Sequence, residues 1–394
     1  MDKLVKHGAF YQTVKRELNR MISRRLYFGI CIIIPLFCVF FMTTIFGSGG
    51  MENIPIGIVD MDQTATSRQI SRTLSTVPTS MVTKYYSEPQ EARNALLKKE
   101  IYAYVIIPNH FESDLIGGRD ASIPYYIHFA LLSVGVELEA ALETVFAEVS
   151  LAPVVIAGAS MGTSVNQVES FILPVNFEAH PLFNPSLDYS IYLTNPFFFV
   201  LFQVLILLAT MYVLGSEIKF KTSENWLKTA DMNIFIAVTG KLLPYTLIFI
   251  IMGIFGNFVM FNVLHIPLEA SFLPVNLNTA LFIIATQAFG IFIFSLFPAL
   301  SIVISVASMI GSLGATLSGV TFPVFAMHPV IYYASFLFPV RHFVEINQNI
   351  LYGNYGFLYA WENVCCLFVF LLLALLILPH FKKATLSHKY EDIE

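Results

Sequence analysis

Charged residues are scarce in this chain. Only 12% of its 394 residues are Asp, Glu, Lys or Arg, whereas 56% are hydrophobic and 37 are phenylalanine. Soluble domains carry about 25% charged residues, and a soluble surface could not hold so many apolar side chains. The hydrophobic residues also form long uncharged runs. Composition therefore excludes a soluble protein and predicts an integral membrane protein.

Cysteine is scarce as well. All four cysteines lie in apolar segments, and none falls in the long polar stretch between residues 50 and 190. No disulfide framework can therefore support that stretch. We expect Cys31, Cys38, Cys365 and Cys366 to act as small buried hydrophobic residues.

Motifs for catalysis are missing. The string GASMG places Ser160 as in a nucleophile elbow, but its surroundings predict a continuing helix rather than a strand, a turn and a helix. Lys241 follows Gly240 in TGKLLPY, yet the other glycine and the hydroxyl residue of a phosphate-binding loop are absent. The nine histidines form no metal-binding pattern, and nothing suggests nucleic-acid binding. We expect a non-enzymatic chain without a metal or cofactor of its own.

Six apolar segments are long enough to cross a bilayer, which takes about 20 residues. Their interiors contain no Asp, Glu, Lys or Arg. This argues against an ion-coupled transporter, because such proteins need ionisable groups at membrane depth. The predicted spans are residues 26–46, 196–215, 242–264, 276–297, 300–326 and 362–379.

Lysine and arginine predict the orientation, because they are concentrated on the cytoplasmic side of membrane proteins. Seven lie in residues 1–25, four in the bridge between the second and third spans, and three in the tail, residues 380–394. The segment 327–361 contains only Arg341. Six spans place both termini and the bridge in the cytoplasm. Residues 1–25 also have an apolar helical face, which predicts a helix lying along the inner membrane surface.

The polar stretch 50–190 predicts a separate domain. It carries 16 acidic and seven basic residues. Strand patterns (IPIGIVD, MVTKYY, IYAYVIIP, IPYYIHFA) alternate with helix patterns (TATSRQISRTL, SEPQEARNALLKKE). This alternation predicts a small, partly parallel α/β sheet. The predicted fold is thus a membrane α-helical protein with six transmembrane helices and an α/β extracytoplasmic domain inserted between the first and second spans.

The bridge GSEIKFKTSENWLKTADMNIFIAVTGKLLPY concentrates charge and one of the two tryptophans. Its centre predicts a short amphipathic helix within residues 216–232, with Trp226, Leu227 and Ala230 as an apolar stripe. Two interpretations stay open from the residues alone. Trp226 is an anchor for a protein partner, or the helix only turns the chain back and Trp226 lies in the membrane interface.

The bridge resembles the coupling-helix region of bacterial type-2 ABC exporter permeases. The segment LSGVTFPVFAMHPVIYYASFLFPVRHFVEINQNILYGN is similar to the end of the fifth span and the outer re-entrant segment (327–360) of that family. IPIGIVDMDQTATSRQI is similar to the opening of the outer domain in members that work with a periplasmic adaptor. In the bridge, Lys221 and Ser223 depart from the small–Gly–Thr run that is more usual. The matching residues are Glu217, Thr222, Glu224, Trp226, Leu227, Gly240, Lys241, Pro244 and Tyr245 in the first block, and Gly319, Phe322, Pro323, Met327, Pro329, Pro339, Glu345 and Gly353 in the second.

The resemblance implies the permease subunit of an ATP-driven exporter in the bacterial inner membrane. A separate ABC ATPase would bind ATP and Mg²⁺, and a second copy or a sister permease would complete the transporter. A periplasmic adaptor and an outer-membrane channel are further implied partners, besides membrane lipid. The uncharged spans favour a hydrophobic or amphiphilic cargo, drug-like or lipid-like. The alternatives are an exporter of lipid or glycan precursors without an adaptor, and a membrane-anchored receptor or assembly platform that transports nothing.

The same resemblance suggests roles for three groups of residues. Those expected to contact the ATPase are Glu217, Lys221, Thr222, Glu224, Trp226 and Leu227. Those expected to line the substrate path are Phe198, Phe199, Phe202, Gln203, Met309 and Thr316. Gly311, Ala315 and Gly319 recur every four residues and predict close helix packing at a dimer seam, with packing inside one subunit as the alternative.

Overall fold

Two structural units make up the chain, one formed by Met1–Ser48 with Tyr189–Glu394 and the other by Gly49–Asp188. The computed structural model describes residues 8–45, 50–116, 119, 121–160, 184, 188–268, 270–353 and 356–387. The start of the predicted surface helix (1–7), part of the predicted α/β domain (161–183) and the end of the tail (388–394) lie outside the described residues.

Helices dominate the described part of the chain, and four strands occur in the second unit. In chain order the elements are α1 (Ala9–Ser23), α2 (Arg25–Ile45), β1 (Ile54–Asp60), α3 (Ala65–Thr76), β2 (Ser80–Tyr86), α4 (Pro89–Leu97), β3 (Ala103–Ile107), α5 (Phe111–Ile116), β4 (Tyr125–Ile127), α6 (Leu132–Ser160), α7 (Tyr189–Lys219), α8 (Ser223–Thr229), α9 (Ile234–Phe258), α10 (Phe272–Leu296), α11 (Leu300–Leu317), α12 (Pro329–Ser335), α13 (Pro339–Gly353) and α14 (Trp361–Leu386).

The unit Gly49–Asp188 is built on a mixed four-stranded sheet with strand order β2-β1-β3-β4. β1 pairs parallel to both β2 and β3, and β4 runs antiparallel to β3. These strands and the helices between them fall where the alternating sequence pattern predicts them. Ile56 and Ile58 of β1 are fully buried and form a core with Leu138 and Leu142 of α6. α6 includes Pro153 and continues to Ser160.

The other unit is a helical bundle. Among the described residues, five helices are long and apolar enough to cross a membrane, namely α2, α7, α9, α10 and α14. The predicted fifth span, 300–326, is represented by α11, which has 18 residues and is only about 27 Å long at 1.5 Å per residue. Gly319 ends this helix because its φ of 89° is left-handed, as is common directly after a helix.

The core of the bundle lies around α7 and α10, which are the most buried of the long helices. Phenylalanine rings fill the space between α7 and its neighbours. Phe198 stacks on Phe202 with ring centroids 5.3 Å apart, and Phe199 contacts Phe343 of α13 at 4.4 Å. The outer faces of α2 and α14 are apolar and exposed, for example at Phe40 and Leu376. Such faces are suited to lipid.

Side-chain amides connect four helices of the bundle. Asn347 on α13 donates to Asn195 Oδ1 on α7 at 2.7 Å, and Asn195 donates to Asn257 Oδ1 on α9 at 3.2 Å. Asn257 in turn donates to Thr279 Oγ1 on α10 at 2.9 Å. Hydrogen bonds of this kind hold membrane helices in register, because the alternative is an unsatisfied polar group in hydrocarbon.

The residues predicted to line the substrate path do not share one surface. Phe198, Phe199, Phe202 and Gln203 are fully buried in the bundle. Gln203 Oε1 accepts a hydrogen bond from the backbone N–H of Val340 at 2.8 Å, so it satisfies the first turn of α13.

Met309 and Thr316, the other two predicted path residues, are exposed on α11. The six predicted path residues are therefore divided between the bundle core and the exposed face of α11, and the four on α7 cannot line a path in this arrangement. The prediction assumed that the aromatic residues of α7 face the substrate path. Neighbouring helices of the same chain cover them instead.

The small residues of α11 pack inside one chain. A Cβ at Gly311 would overlap Cγ2 of Val204 on α7, and one at Gly314 would lie 2.8 Å from Gln203 Nε2. Ala315 is partly buried against the bundle core. Together with the helix-ending role of Gly319, these contacts support the alternative to the predicted dimer seam, which is packing within the subunit.

We expect Gly311→Ala to lower stability by about 1–3 kcal/mol, because the added methyl group meets the stiff side chain of Val204. Thermal unfolding of the detergent-purified chain measures this loss. Adding Val204→Ala should restore part of it, because the smaller residue makes room for the methyl group. A Gly311→Ala chain of normal stability but altered oligomeric state would instead favour the dimer seam.

Candidate functional site at the end of the helix bundle

A short helix, α8, joins α7 to α9 and contacts α1, α7, α9 and α14. The chain turns sharply at both of its ends, where Lys221, Asp231 and Met232 have left-handed φ values of 55°, 51° and 58°. The predicted coupling helix, 216–232, is therefore shorter in the structure, because α7 extends to Lys219 before the turn. As a result, Glu217 lies in the last turns of α7 rather than at the start of the coupling helix.

Trp226 fixes α8 to the bundle. Its side chain is fully buried, its indole N–H donates to the backbone carbonyl of Ala237 at 3.2 Å, and its ring contacts that of Phe381 on α14. Leu227 is fully buried as well. A side chain without exposed surface cannot fill a pocket on another protein, so the predicted ATPase contacts of Trp226 and Leu227 are wrong. The apolar stripe of α8 packs on its own chain instead.

The carboxylate of Glu217 is the centre of a buried ionic cluster. Arg16 binds both of its oxygens at 2.8 and 2.9 Å in the bidentate geometry typical of strong arginine–carboxylate pairs. Lys241 donates to it at 2.7 Å, and Arg20 and the hydroxyl of Thr222 donate as well. Glu217 itself is fully buried, so it too cannot contact a partner directly.

A second carboxylate, Glu17, completes the cluster. Lys241 Nζ donates to Glu17 Oε2 at 2.6 Å, and the hydroxyl of Tyr245 donates to Glu17 Oε1 at 2.8 Å. Glu17, Lys241 and Tyr245 are all buried. Lys241 therefore bridges two carboxylates, and the cluster of Arg16, Glu17, Arg20, Glu217 and Lys241 has one positive charge in excess.

Arg20 lies at the edge of this ionic cluster. It also donates to Ser216 Oγ at 3.0 Å. Burial is the largest single influence and acts to lower the pKa of Arg20, but the combined attraction of Glu217, Glu17 and the nearby tyrosines outweighs burial and raises that pKa above its ordinary value. The guanidinium group consequently stays charged, as the ionic cluster requires.

The helix α1 carries its polar face toward the bundle and its apolar face outward. Thr13, Glu17 and Arg20 face α7 and α9, whereas Ile22 on the other face is 83% exposed. Gly240 allows the close approach, since a Cβ there would lie 3.0 Å from that of Thr13. An exposed apolar face agrees with the predicted membrane-surface helix.

Sequence reasoning missed the partners that α1 supplies. It considered only the apolar face of residues 1–25 and assigned no partners within the chain to their polar side chains. A signal was present, because Thr13, Arg16, Glu17 and Arg20 have the i, i+3, i+4, i+7 spacing of a single helical face. A buried polar face of this kind becomes stable once the neighbouring helices provide opposite charges.

Only part of the predicted ATPase contact set faces outward. Lys221 is exposed, Thr222 is half-buried, and the side chain of Glu224 is 56% exposed. Lys228, which the prediction did not include, is 61% exposed and forms an ion pair with Glu224 at 2.7 Å, one helical turn away. The outer surface of α8 is thus polar and of mixed charge.

We expect Glu217→Gln to destabilise the bundle by about 3 kcal/mol or more, because it leaves the buried Lys241 and the partly buried Arg16 and Arg20 with a single carboxylate. Denaturant unfolding in detergent, followed by tryptophan fluorescence, measures the change through buried Trp226. The matched control is Glu224→Gln, which removes an exposed ion pair and should cost less than about 1 kcal/mol. Equal losses in the two variants would show that the ionic cluster does not hold the bundle together.

Comparison with known proteins agrees with this architecture. A family model described as "ABC-2 family transporter protein" matches residues 25–378. The chain is 23% identical over 331 residues to the "Inner membrane transport permease YhhJ" of Escherichia coli K12, an alignment that covers 80% of this chain and 81% of the relative. The protein of the same name from Shigella flexneri is similar to the same extent. Since the family model spans most of the chain, the chain belongs to the ABC-2 family of transporter proteins.

Proposed function

We propose that this chain is the permease subunit of an ATP-driven exporter and that α8 is its coupling helix. In this proposal a separate ABC ATPase binds ATP and Mg²⁺ and docks on the polar outer surface of α8. The observation that carries the proposal is the two-sided construction of α8. Trp226 and Leu227 fix its inner face to the bundle, while Lys221, Glu224 and Lys228 point outward.

The ionic cluster connects α8 to the membrane helices in this proposal. Thr222, directly before α8, donates to Glu217 on α7 through both its hydroxyl and its backbone N–H. Glu217 is bound in turn by α1 and, through Lys241, by α9. A displacement of α8 by the ATPase would therefore move the ends of α7 and α9 together with α1. Such a displacement drives transport only if ATP binds the two conformations of the complex unequally.

The orientation of the chain is a further part of the proposal. The lysine and arginine distribution supports a bacterial inner-membrane protein with α1, α8 and the tail in the cytoplasm. The unit Gly49–Asp188 would then be extracytoplasmic, where a periplasmic adaptor and an outer-membrane channel are its proposed partners. This orientation requires α11 to cross the membrane as well, as the fifth of six spans in chain order. Met309 and Thr316, exposed on α11, would face a second copy or a sister permease across the cargo path.

The character of the bundle favours a hydrophobic or amphiphilic cargo. In the described parts of the long helices, Glu217 and Lys241 are paired with each other near the helix ends, and the central turns of α7, α9 and α10 carry no charged side chain. Water-soluble ions would find no compensating group there. An exporter of lipid or glycan precursors that needs no adaptor is the second candidate, since the same apolar bundle supports it.

Charge reversal on α8 tests the docking surface. We expect Lys228→Glu and Glu224→Lys each to reduce the ATPase that co-purifies with the chain, because both change the outer surface of α8 without touching the core. The exchanged variant Glu224→Lys, Lys228→Glu keeps an ion pair within the helix but reverses its direction. It should not restore ATPase recovery, and substrate-stimulated ATP hydrolysis should fall in parallel.

The matched control is Arg119→Glu, which reverses a cation of an exposed ion pair in the other unit, where the Arg119 side chain is 65% exposed. It should leave ATPase recovery unchanged. Full recovery in the exchanged variant would show that the ion pair only stabilises α8. Unchanged recovery in all the α8 variants would mean that the helix is a turn and not a docking surface.

Cysteine labelling tests the orientation. In a chain whose four native cysteines are replaced by serine, we expect an impermeant thiol reagent to label Ser75→Cys from outside the cell and to leave Asn225→Cys unlabelled. Both positions are exposed, so accessibility within the chain does not limit the reaction. Asn225→Cys should react only after the membrane is permeabilised. Labelling of Asn225→Cys in intact cells would invert the proposed topology.

A further inference from the structure

Arg341 is a buried cation that lies outside the ionic cluster. It is in the first turn of α13 and only 4% exposed. Its guanidinium carbon lies 4.1 Å from the centroid of the Phe336 ring and 5.4 Å from that of Tyr332. Within the described part of the chain, no carboxylate forms an ion pair with Arg341, and its Nε–H has no hydrogen-bond partner. Because arginine stays protonated in proteins, its charge calls for an anion.

The neighbouring His342 does not supply that anion. Arg341 Nη1 is 3.5 Å from His342 Nδ1, which also contacts Asn363 Oδ1 at 2.8 Å, and His342 Nε2 contacts the carbonyl of Phe336 at 3.0 Å. Burial lowers the pKa of His342, and the nearby Arg341 charge acts in the same direction. A neutral imidazole orients the guanidinium group but cannot balance its charge.

A cavity of ≈450 Å³ opens beside Arg341. It contains one further charged residue, Glu345, which follows Arg341 by one helical turn, so that their Cβ atoms are about 5–6 Å apart. The Glu345 carboxylate forms no ion pair with any residue that the structure describes. The cavity wall therefore presents a cation and an anion side by side. Its lining includes Tyr192, Phe325, Tyr332, Arg341, Glu345 and Gln348.

We propose that this cavity binds the zwitterionic headgroup of a phospholipid, with the phosphate on Arg341 and the ammonium group beside Glu345. The guanidinium group is suited to the phosphate, because its free N–H groups match two phosphate oxygens. An ammonium group next to the phosphate pairs with Glu345, which would repel a headgroup of purely negative charge. Phe322 and Phe325 are exposed and offer apolar surface for acyl chains close to the cavity.

The choice of a lipid rests on this combination of charges and apolar surface. Free phosphate would satisfy Arg341 but leave Glu345 unpaired, and it would gain nothing from the exposed phenylalanines. The inference is independent of ATP-driven transport, because it concerns binding by this chain alone. If the ATPase experiments contradicted the coupling helix, the proposed lipid site would be unaffected. If the lipid experiments failed, the coupling-helix proposal would be unaffected.

Native mass spectrometry of the full chain tests the site. The purified chain is mixed in detergent with equal amounts of phosphatidylethanolamine and phosphatidylglycerol, which share a phosphate but differ in the ammonium group. We expect the unmodified chain to retain phosphatidylethanolamine preferentially. Arg341→Met should reduce this retention roughly tenfold or more, the loss typical for a hydrogen bond to a charged group. The matched control, Arg119→Met on the exposed surface of the other unit, should retain the lipid normally.

Glu345→Gln provides a test that does not depend on the stability of Arg341 variants. It should shift the retained lipid from phosphatidylethanolamine toward phosphatidylglycerol, because both the attraction for the ammonium group and the repulsion of negative charge are lost. A merely structural role for Glu345 would not change this ratio. An unchanged ratio, or normal retention in Arg341→Met, would overturn the proposal. Displacement of the lipid by equimolar phosphate or O-phosphoethanolamine would overturn the lipid assignment, because the acyl chains would then contribute nothing.

Discussion

The carboxylate of Glu217 is the group on which the arrangement of the bundle end depends. A buried carboxylate is tolerated only when opposite charges and hydrogen bonds surround it, and here they come from α1, from α9 and from the turn before α8. Each donating side chain must therefore lie within hydrogen-bond distance of the Glu217 carboxylate, which fixes the position of the element that carries it. The ionic cluster adds little net stability compared with an apolar core, but removing one member is costly, so it specifies one packing of α1, α7, α8 and α9.

Much of the fold follows from sequence pattern. The strands of the unit Gly49–Asp188 were predictable because runs such as IYAYVIIP are bounded by clear turn signals. The helix of the bridge was equally predictable from the sequence, but the direction in which its apolar stripe faces was not. Trp226, Leu227 and Ala230 form an apolar stripe whether the helix packs on its own bundle or on a partner, and only the structure shows that α9 and α14 already cover it. Gly311 has the same ambiguity, since small residues serve close packing within a chain as well as between chains.

The family match covers only some members of the ionic cluster, and the structure shows the others. The family match begins at residue 25, so it includes Glu217 and Lys241 but excludes α1. Three of the five charged members, Arg16, Glu17 and Arg20, belong to α1. The family match thus covers two of the five charged members. The other three belong to a helix whose apolar face alone would make it an ordinary surface element.

The long separation of the cluster members along the chain has a consequence for biosynthesis. Glu17 and Lys241 are 224 residues apart, which corresponds to roughly 10 to 45 seconds of translation at about 5–20 residues per second. During this interval α1, α2 and α7 are made without the lysine that bridges the two carboxylates. Arg16 and Arg20 of α1 can already bind Glu217 of α7, but Glu17 has no lysine to pair with until the third long helix has been synthesised. The complete ionic cluster, which fixes the packing of α1, α7 and α9, can therefore first form when α9 has been synthesised.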